Sequence, residues 1–291
     1  MTMKPVKINI LKDFFNERRQ KLFLQIIQCG AGGNGSYVVQ QLAQMLSIFD
    51  VDCRYIIADN DVYEAKNKRN QLILDKDIGE KKARVLSERY RGAFQVDIGY
   101  YDHEFVESAE TLEKLFKETP YYSRDLDYVI LPVLLGCVDN NYSRQIFHKY
   151  FEEAENLLYI DVGIESAVVP PGKSVSNMAE WTEEEVHTFK NTGFTGQVVA
   201  GLKLNGETVV EPLAEVFPDV LKDNDTIAPS EEACSTVVIS NPQRVLTNRL
   251  AAHCMCTYLN EFFESGTLSN HVTFFHSKKN IVRTEPIKMN M

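Results

Sequence analysis

The sequence predicts an α/β fold, a mainly parallel sheet with helices on both faces. Three observations predict it. Apolar runs of strand length alternate with stretches of helical periodicity through roughly the first 165 residues. The first strong strand runs into the glycine-rich turn GAGGNG, Gly30 to Gly35, and straight on into a helix. Two further apolar strands end in an acid, Asp59 and Asp139. A strand, a glycine turn and a helix in that order make the fold Rossmann-like, with its ligand expected where strand ends meet helix starts.

The elements follow in order. Residues 1–20 read as an extended segment and a charged helix. KLFLQIIQC (Lys21–Cys29) is a buried strand, and GSYVVQQLAQMLSIF (Gly35–Phe49) is a helix with its apolar positions at helical spacing. CRYIIAD (Cys53–Asp59) is the second strand. GEKKARVLSERYRG (Gly79–Gly92) is a helix stopped by glycine, and FQVDIGYYDH the third strand. A helix near 107–118 precedes the apolar strand of LDYVILPVLLGCVDN. NYSRQIFHKYFEEAE is again helical and LLYIDVGI a further strand. Beyond Pro170, TGQVVAGLKLNGETVVEP reads as a β-hairpin around Asn205-Gly206. FPDVLKDNDTIAPSEEACS is polar and loop-like and holds Cys234. Asn241–Gly266 is the longest helix, and one or two strands finish the chain. The expectation is a single domain over 1–291. Residues 1–169 form its nucleotide-binding half, and the hairpin-containing C-terminal part, 170–291, extends the same sheet.

Charge narrows the function. With 31 basic and 41 acidic residues the formal charge is −10, which argues against a general nucleic-acid binder. The N-terminus has no signal-peptide core and no stretch reaches bilayer length, so a cytoplasmic protein without membrane partners is expected. Six cysteines, at 29, 53, 137, 234, 254 and 256, are scattered as free thiols. No C-x-x-C pair occurs, so no zinc site is expected.

Gly30, Gly32 and Gly35 satisfy G-x-G-x-x-G, Gly33 adds a fourth glycine, and Asp59 stands where an acid binds ribose. These residues alone suit an NAD-dependent oxidoreductase as well as an ATP site. The next stretch, DNDVYEAKNKRNQLILDKDIGEKKA, carries Asp61, Asn67, Arg69, Asn70, Gln71 and Lys82. Arg and Lys neutralise triphosphate charge and a carboxylate holds magnesium. A solvated charged loop is the plain alternative.

Taken in order, GAGGNG, DND, NKRNQ, DIGEKK and GCVDNNYSR resemble the ThiF/MoeB/E1 family, most strongly over about residues 22–165. The later TGQVVAGL, EPLAEVFPDVL and EEACSTVVISNPQRVLTNRL look like the ThiF-like proteins of PRTRC gene clusters. The resemblance implies an E1-like adenylyltransferase. Such an enzyme uses ATP and Mg2+ to adenylate the C-terminal glycine of a ubiquitin-like or sulfur-carrier β-grasp protein. It also implies a homodimer, an E2-like protein as a further partner, and Arg18 or Arg19 as an arginine lent between subunits. Gly30, Gly32, Gly33 and Gly35 would hold the nucleotide phosphates and Asp59 the ribose, with Asp61 beside it. Asn67, Arg69, Asn70 and Lys82 would contact phosphate, and Asp139 with Asn140 would place magnesium and the α-phosphate. Arg69, Lys82 and Asp139 count as catalytic. Cys234 would carry a thioester or persulfide adduct. The order Arg69-Asn70 departs from the family pattern, which has Asn then Arg in this segment. That exchange keeps a non-catalytic nucleotide-binding scaffold open as an alternative.

Overall fold

The computed structural model describes residues 3–14, 21–117, 128–223, 228–234 and 242–290. Nine strands of these residues form one sheet: β1 (Lys21–Cys29), β2 (Cys53–Ala58), β3 (Ile98–Tyr101), β4 (Tyr128–Gly136), β5 (Leu157–Ile164), β6 (Thr195–Leu204), β7 (Glu207–Val210), β8 (Asn270–His276) and β9 (Ile281–Pro286). Their order is β9-β8-β6-β5-β4-β1-β2-β3, with β7 paired to β6. β1 to β5 are parallel, and every pairing made by β6 to β9 is antiparallel. The Rossmann-like α/β class expected from the sequence is the one observed, and the second half of the chain extends the same sheet.

The parallel strands are apolar on both faces because helices cover both. On β1, Leu24 and Ile26 join one apolar cluster, and Ile27 and Cys29 join the other. The first cluster takes in α1 (Gly33–Ile48), α2 (Lys82–Phe94) and α6 (Val245–Ser265). The second takes in α3 (Ala109–Lys117) and α4 (Asn141–Glu153). α5 (Glu183–Asn191) packs Phe189 on Trp181 in a small satellite cluster.

The hairpin turn is Asn205-Gly206, both at positive φ as a tight two-residue turn requires. Two expectations shift. The stretch after β7 contains short helices at Leu213–Val216 and Asp219–Lys222 rather than loop alone. α2 runs through Gly92 and ends against Gln95, which takes the left-handed cap at φ 58. Gly79 does not start that helix. It sits at φ +89 in the preceding turn and donates to the Tyr63 carbonyl at 2.8 Å.

Sheet register builds the site. Cys29 stands beside Ala58 on one side and Gly136 on the other, so β1, β2 and β4 end at one level. β1 is also where the order reverses, since the chain runs outward through β2 and β3 and then returns to β4. Ligands bind at such a switch point, beyond the carboxyl ends of the strands.

The end of α6 gives a stability test. Gly266 closes the helix at φ +65, donates to Phe262 O at 2.7 Å, and accepts from the Ile10 N–H. A Cβ there would overlap Leu11. Gly266→Ala is expected to cost about 2 kcal/mol in urea denaturation, from the left-handed backbone and the displaced Leu11 together.

Candidate active site

A cleft of about 830 Å³ opens at the switch point. Its floor is the turn between β1 and α1, where the four glycines serve different ends. Gly30 lies at φ +98, and a Cβ on it would stand 2.5 Å from the Cys137 carbonyl oxygen. A Cβ on Gly35 would overlap the Gly30 carbonyl oxygen, so the helix could not pack down on the strand end. A Cβ on Gly33 would overlap the side chains of Gln243, just before α6, and Asn248, within it. Gly32 has open space where its Cβ would be, and it is the glycine that leaves room for a ligand. Gly30, Gly32 and Gly33 line the cleft; Gly35 does not, and its contribution is close packing. The extra glycine answers to the C-terminal helix as well as to the cleft.

Gln28 fastens this turn from within the strand. It is fully buried, and its Nε2 donates to the carbonyls of Gly30 at 2.9 Å and Gly35 at 3.0 Å. The Tyr55 hydroxyl donates to its Oε1. Asp59, just past β2, accepts from the Ala31 N–H at 2.6 Å and from the Asp61 N–H at 2.8 Å. Burial raises the Asp59 pKa against the lowering pull of Lys82.

Lys82 is the first residue of α2 and is buried. Its Nζ donates to Asp61 at 2.7 Å. Burial opposes its charge, but Asp59, Asp61 and Asp139 outweigh it, and the pKa is raised. Its neighbours are engaged elsewhere, Lys81 on Asn60 and Arg84 on Asp102. The loop between β2 and α2 brings Asn67, Arg69 and Asn70 to the cleft. Asn67 spends its carbonyl oxygen on the Glu64 N–H, and among the described residues no hydrogen bond holds its NH2 group. Arg69 is exposed, and among the described residues no hydrogen bond or ion pair holds it. Asp77 of the DIG motif is structural. It accepts from the Leu74 N–H and from Arg89, and does not line the cleft.

Asp139 is exposed at the cleft, and it does not cap the next helix. Asn140 is that cap, accepting from the Ser143 N–H at 2.8 Å. Asp139 makes no hydrogen bond or ion pair among the described residues, as suits a carboxylate kept for a hydrated cation. Cys234 ends the short helix Pro229–Cys234, and its side chain, like Arg18 and Arg19, lies outside the described residues. The five described cysteines offer no reactive thiolate. Burial pushes Cys254 up to about 11 and Cys53 and Cys256 up to about 12, and raises Cys29 and Cys137 further still.

Sequence reading missed the part of the cleft wall around Arg144. Arg144 of α4 donates to Asp161 of β5 at 3.0 Å and to the Val138 carbonyl at 2.8 Å. Asp161 is fully buried and also accepts from the Tyr159 hydroxyl at 3.0 Å. Burial raises its pKa, and Arg144 and Tyr159 pull it back down. A lone acid in the apolar run LLYIDVGI was the signal, as Gln28 was in KLFLQIIQC. Gln243 and Asn248 left no comparable mark.

The fold and the cleft together define a Rossmann-like α/β protein whose candidate site gathers a glycine turn, a lysine, and an arginine and a carboxylate that are unpaired among the described residues. Solved structures of the same architecture include E. coli MccB with succinimide, at a TM-score of 0.53 and 15% identity over 91% of this chain and 64% of that one. PaaA matches at 0.53 and 13% identity, over 91% and 64%. E. coli MccB with ATP matches at 0.52 and 15%, over 95% and 65%. The chain thus spans slightly less than two thirds of their length. No protein-family model and no curated protein matches the sequence.

Two glycine variants separate packing from ligand contact. Gly35→Ala drives a Cβ into backbone and is expected to cost about 3 kcal/mol of stability. Gly32→Ala should leave the urea midpoint unchanged while weakening nucleotide binding, read by calorimetry with ATP. Arg144→Met strands a buried carboxylate and should cost about 3–5 kcal/mol, much of it recovered when Asp161→Asn is added.

Proposed function

We propose that this chain is an ATP-dependent adenylyltransferase of the ThiF/MoeB/E1 type, which transfers AMP to the C-terminal carboxylate of a small protein or peptide. One observation carries the reading: the glycine turn, Asp59, Lys82, Arg69 and Asp139 face one cleft. A hydride-transfer enzyme uses the turn and Asp59 but has no task for a buried lysine together with an arginine and a carboxylate that, among the described residues, are unpaired around the same space. MccB, similar in fold, has been solved with ATP and with MccA, which supports a nucleotide and a second substrate for this chain.

The reaction asks for positioning and charge neutralisation. A carboxylate oxygen of the partner attacks the α-phosphorus, a new P–O bond forms, and the bond to the β-phosphate's bridging oxygen breaks. Pyrophosphate leaves with that electron pair. The turn's N–H groups and the start of α1 cradle phosphate. Lys82 stays protonated and neutralises charge, and Arg69 with the Asn67 and Asn70 amides reaches the outgoing pyrophosphate. Asp59 faces the ribose. Asp139, free and exposed at the cleft, would hold Mg2+, which when bound screens the phosphates. Arg144 holds Asp161 and the wall rather than the substrate.

The partner we favour is a β-grasp protein of the ubiquitin-like or sulfur-carrier kind ending in glycine. The PRTRC-type subgroup, a homodimer, an E2-like partner, a cytoplasmic setting and an adduct on Cys234 belong to the same proposal. The motifs and later segments resembling those proteins support it. Among the described residues no helix is long and apolar enough to cross a membrane.

ATP–pyrophosphate exchange is expected only with a partner protein present. Lys82→Ala and Asp139→Ala should each lower it about 100-fold or more without loss of folding. Unchanged exchange in Asp139→Ala, or tight NADH binding with no protection by ATP against heat, would overturn the proposal. Cys234→Ala should keep the exchange and lose any thiol-labile adduct with the partner, seen by mass spectrometry.

A further inference from the structure

Away from the cleft, α4 presents Asn141, Gln145, His148 and Glu152 along one face, at the spacing that puts helical residues in line. This face grips the segment that follows β7. Asn141 Nδ2 donates to Asp223 Oδ2 at 2.7 Å, and Gln145 Nε2 donates to the carbonyls of Val220 at 2.9 Å and Asp223 at 3.1 Å. At the far end of the seam the pattern changes. His148 and Glu152 meet Glu215 from the short helix Leu213–Val216, and one ligand atom of each lies within 4.8 Å of the others.

Two facts need a physical account. His148 is 6% exposed, its Nδ1 has no partner, and its Nε2 approaches Glu152 Oε1 only to 3.6 Å, too far for a hydrogen bond. A buried imidazole without a hydrogen bond is costly. Glu152 and Glu215, meanwhile, are two carboxylates brought together from different helices, and like charges repel. One divalent cation would engage the imidazole and neutralise both carboxylates, since an imidazole nitrogen and two carboxylate oxygens are ligands of zinc-type sites.

We propose that His148, Glu152 and Glu215 bind one divalent transition-metal ion of the Zn2+ class, completed by water, which pins the Leu213–Val216 helix to α4. A scan for cysteine pairs is blind to this site, because its ligands come from an i, i+4 pair and a residue over 60 positions further along the chain.

The test uses the full-length chain, stripped with EDTA and titrated with Zn2+, and with Co2+ as an optical probe. About one equivalent should bind, with a rise in melting temperature of about 5 °C at excess zinc. His148→Gln and Glu215→Gln should lose this equivalent and the thermal shift, while Asp139→Ala, altered only in the cleft, keeps both. Glu215 is exposed, so its variant reads the metal site even if His148→Gln folds poorly. The inference is overturned if Glu215→Gln binds zinc as the wild type does, or if the wild type binds none. A melting temperature that changes with pH through His148 and is indifferent to metal would likewise overturn it, assigning the cluster to an imidazolium between two carboxylates.

Discussion

The fit of the β1–α1 turn between two strand ends is the constraint on which the site depends. Gly30 passes 2.5 Å, measured from the Cβ it lacks, beneath the Cys137 carbonyl, and Gly35 sits on Gly30. Nothing larger than hydrogen fits at either point, so the backbone itself forms the floor. The Gln28 amide then bonds both glycine carbonyls, and Tyr55 from β2 holds Gln28. Three neighbouring strands therefore fix one turn. Because the turn is fixed, the Ala31 N–H meets Asp59, Asp59 orients the Asp61 N–H, and Asp61 receives Lys82 from the start of α2. The lysine's place is thus inherited through hydrogen bonds from a close backbone contact on the far side of the cleft.

Much of this was legible in the chain. Apolar alternation located β1 to β5 and their helices, because strands buried on both faces must be apolar throughout. The glycine turn, Asp59, Lys82 and Asp139 were legible because each follows a strand end or opens a helix, and register brings those points to one level. What stayed hidden depends on contacts between distant segments. Gly33 meets Gln243 and Asn248 across more than two hundred residues, which no local pattern encodes. Gly92 misled because a glycine without a left-handed role is tolerated in a helix, while Gln95 took that role. That Asn140 rather than Asp139 caps the next helix was hidden for a similar reason. Both can cap a helix, and the choice rests on which side chain the strand end turns toward Ser143.

The charges around the cleft bear on its chemistry more than their number does. Arg144 is spent on Asp161, Lys66 on Glu64, and Lys82 is shared between Asp59 and Asp61. Among the described residues Arg69 is left as a cation without a hydrogen bond or ion pair, and Asp139, lining the same cleft, as a carboxylate without one. A polyphosphate entering this space finds too little free positive charge to balance it. The shortfall is what a divalent ion at Asp139 would supply, and it makes phosphate and metal binding mutually dependent. Asp61 adds a second consequence. In pairing with Lys82 it keeps a buried ammonium charged while the cleft is open to water, and a phosphate that takes the lysine must displace that pair. Such a phosphate would gain only the difference between two ion pairs, so ground-state binding would stay modest. In the proposed reaction the arginine, and a metal held by Asp139, would act where charge grows, on the departing pyrophosphate.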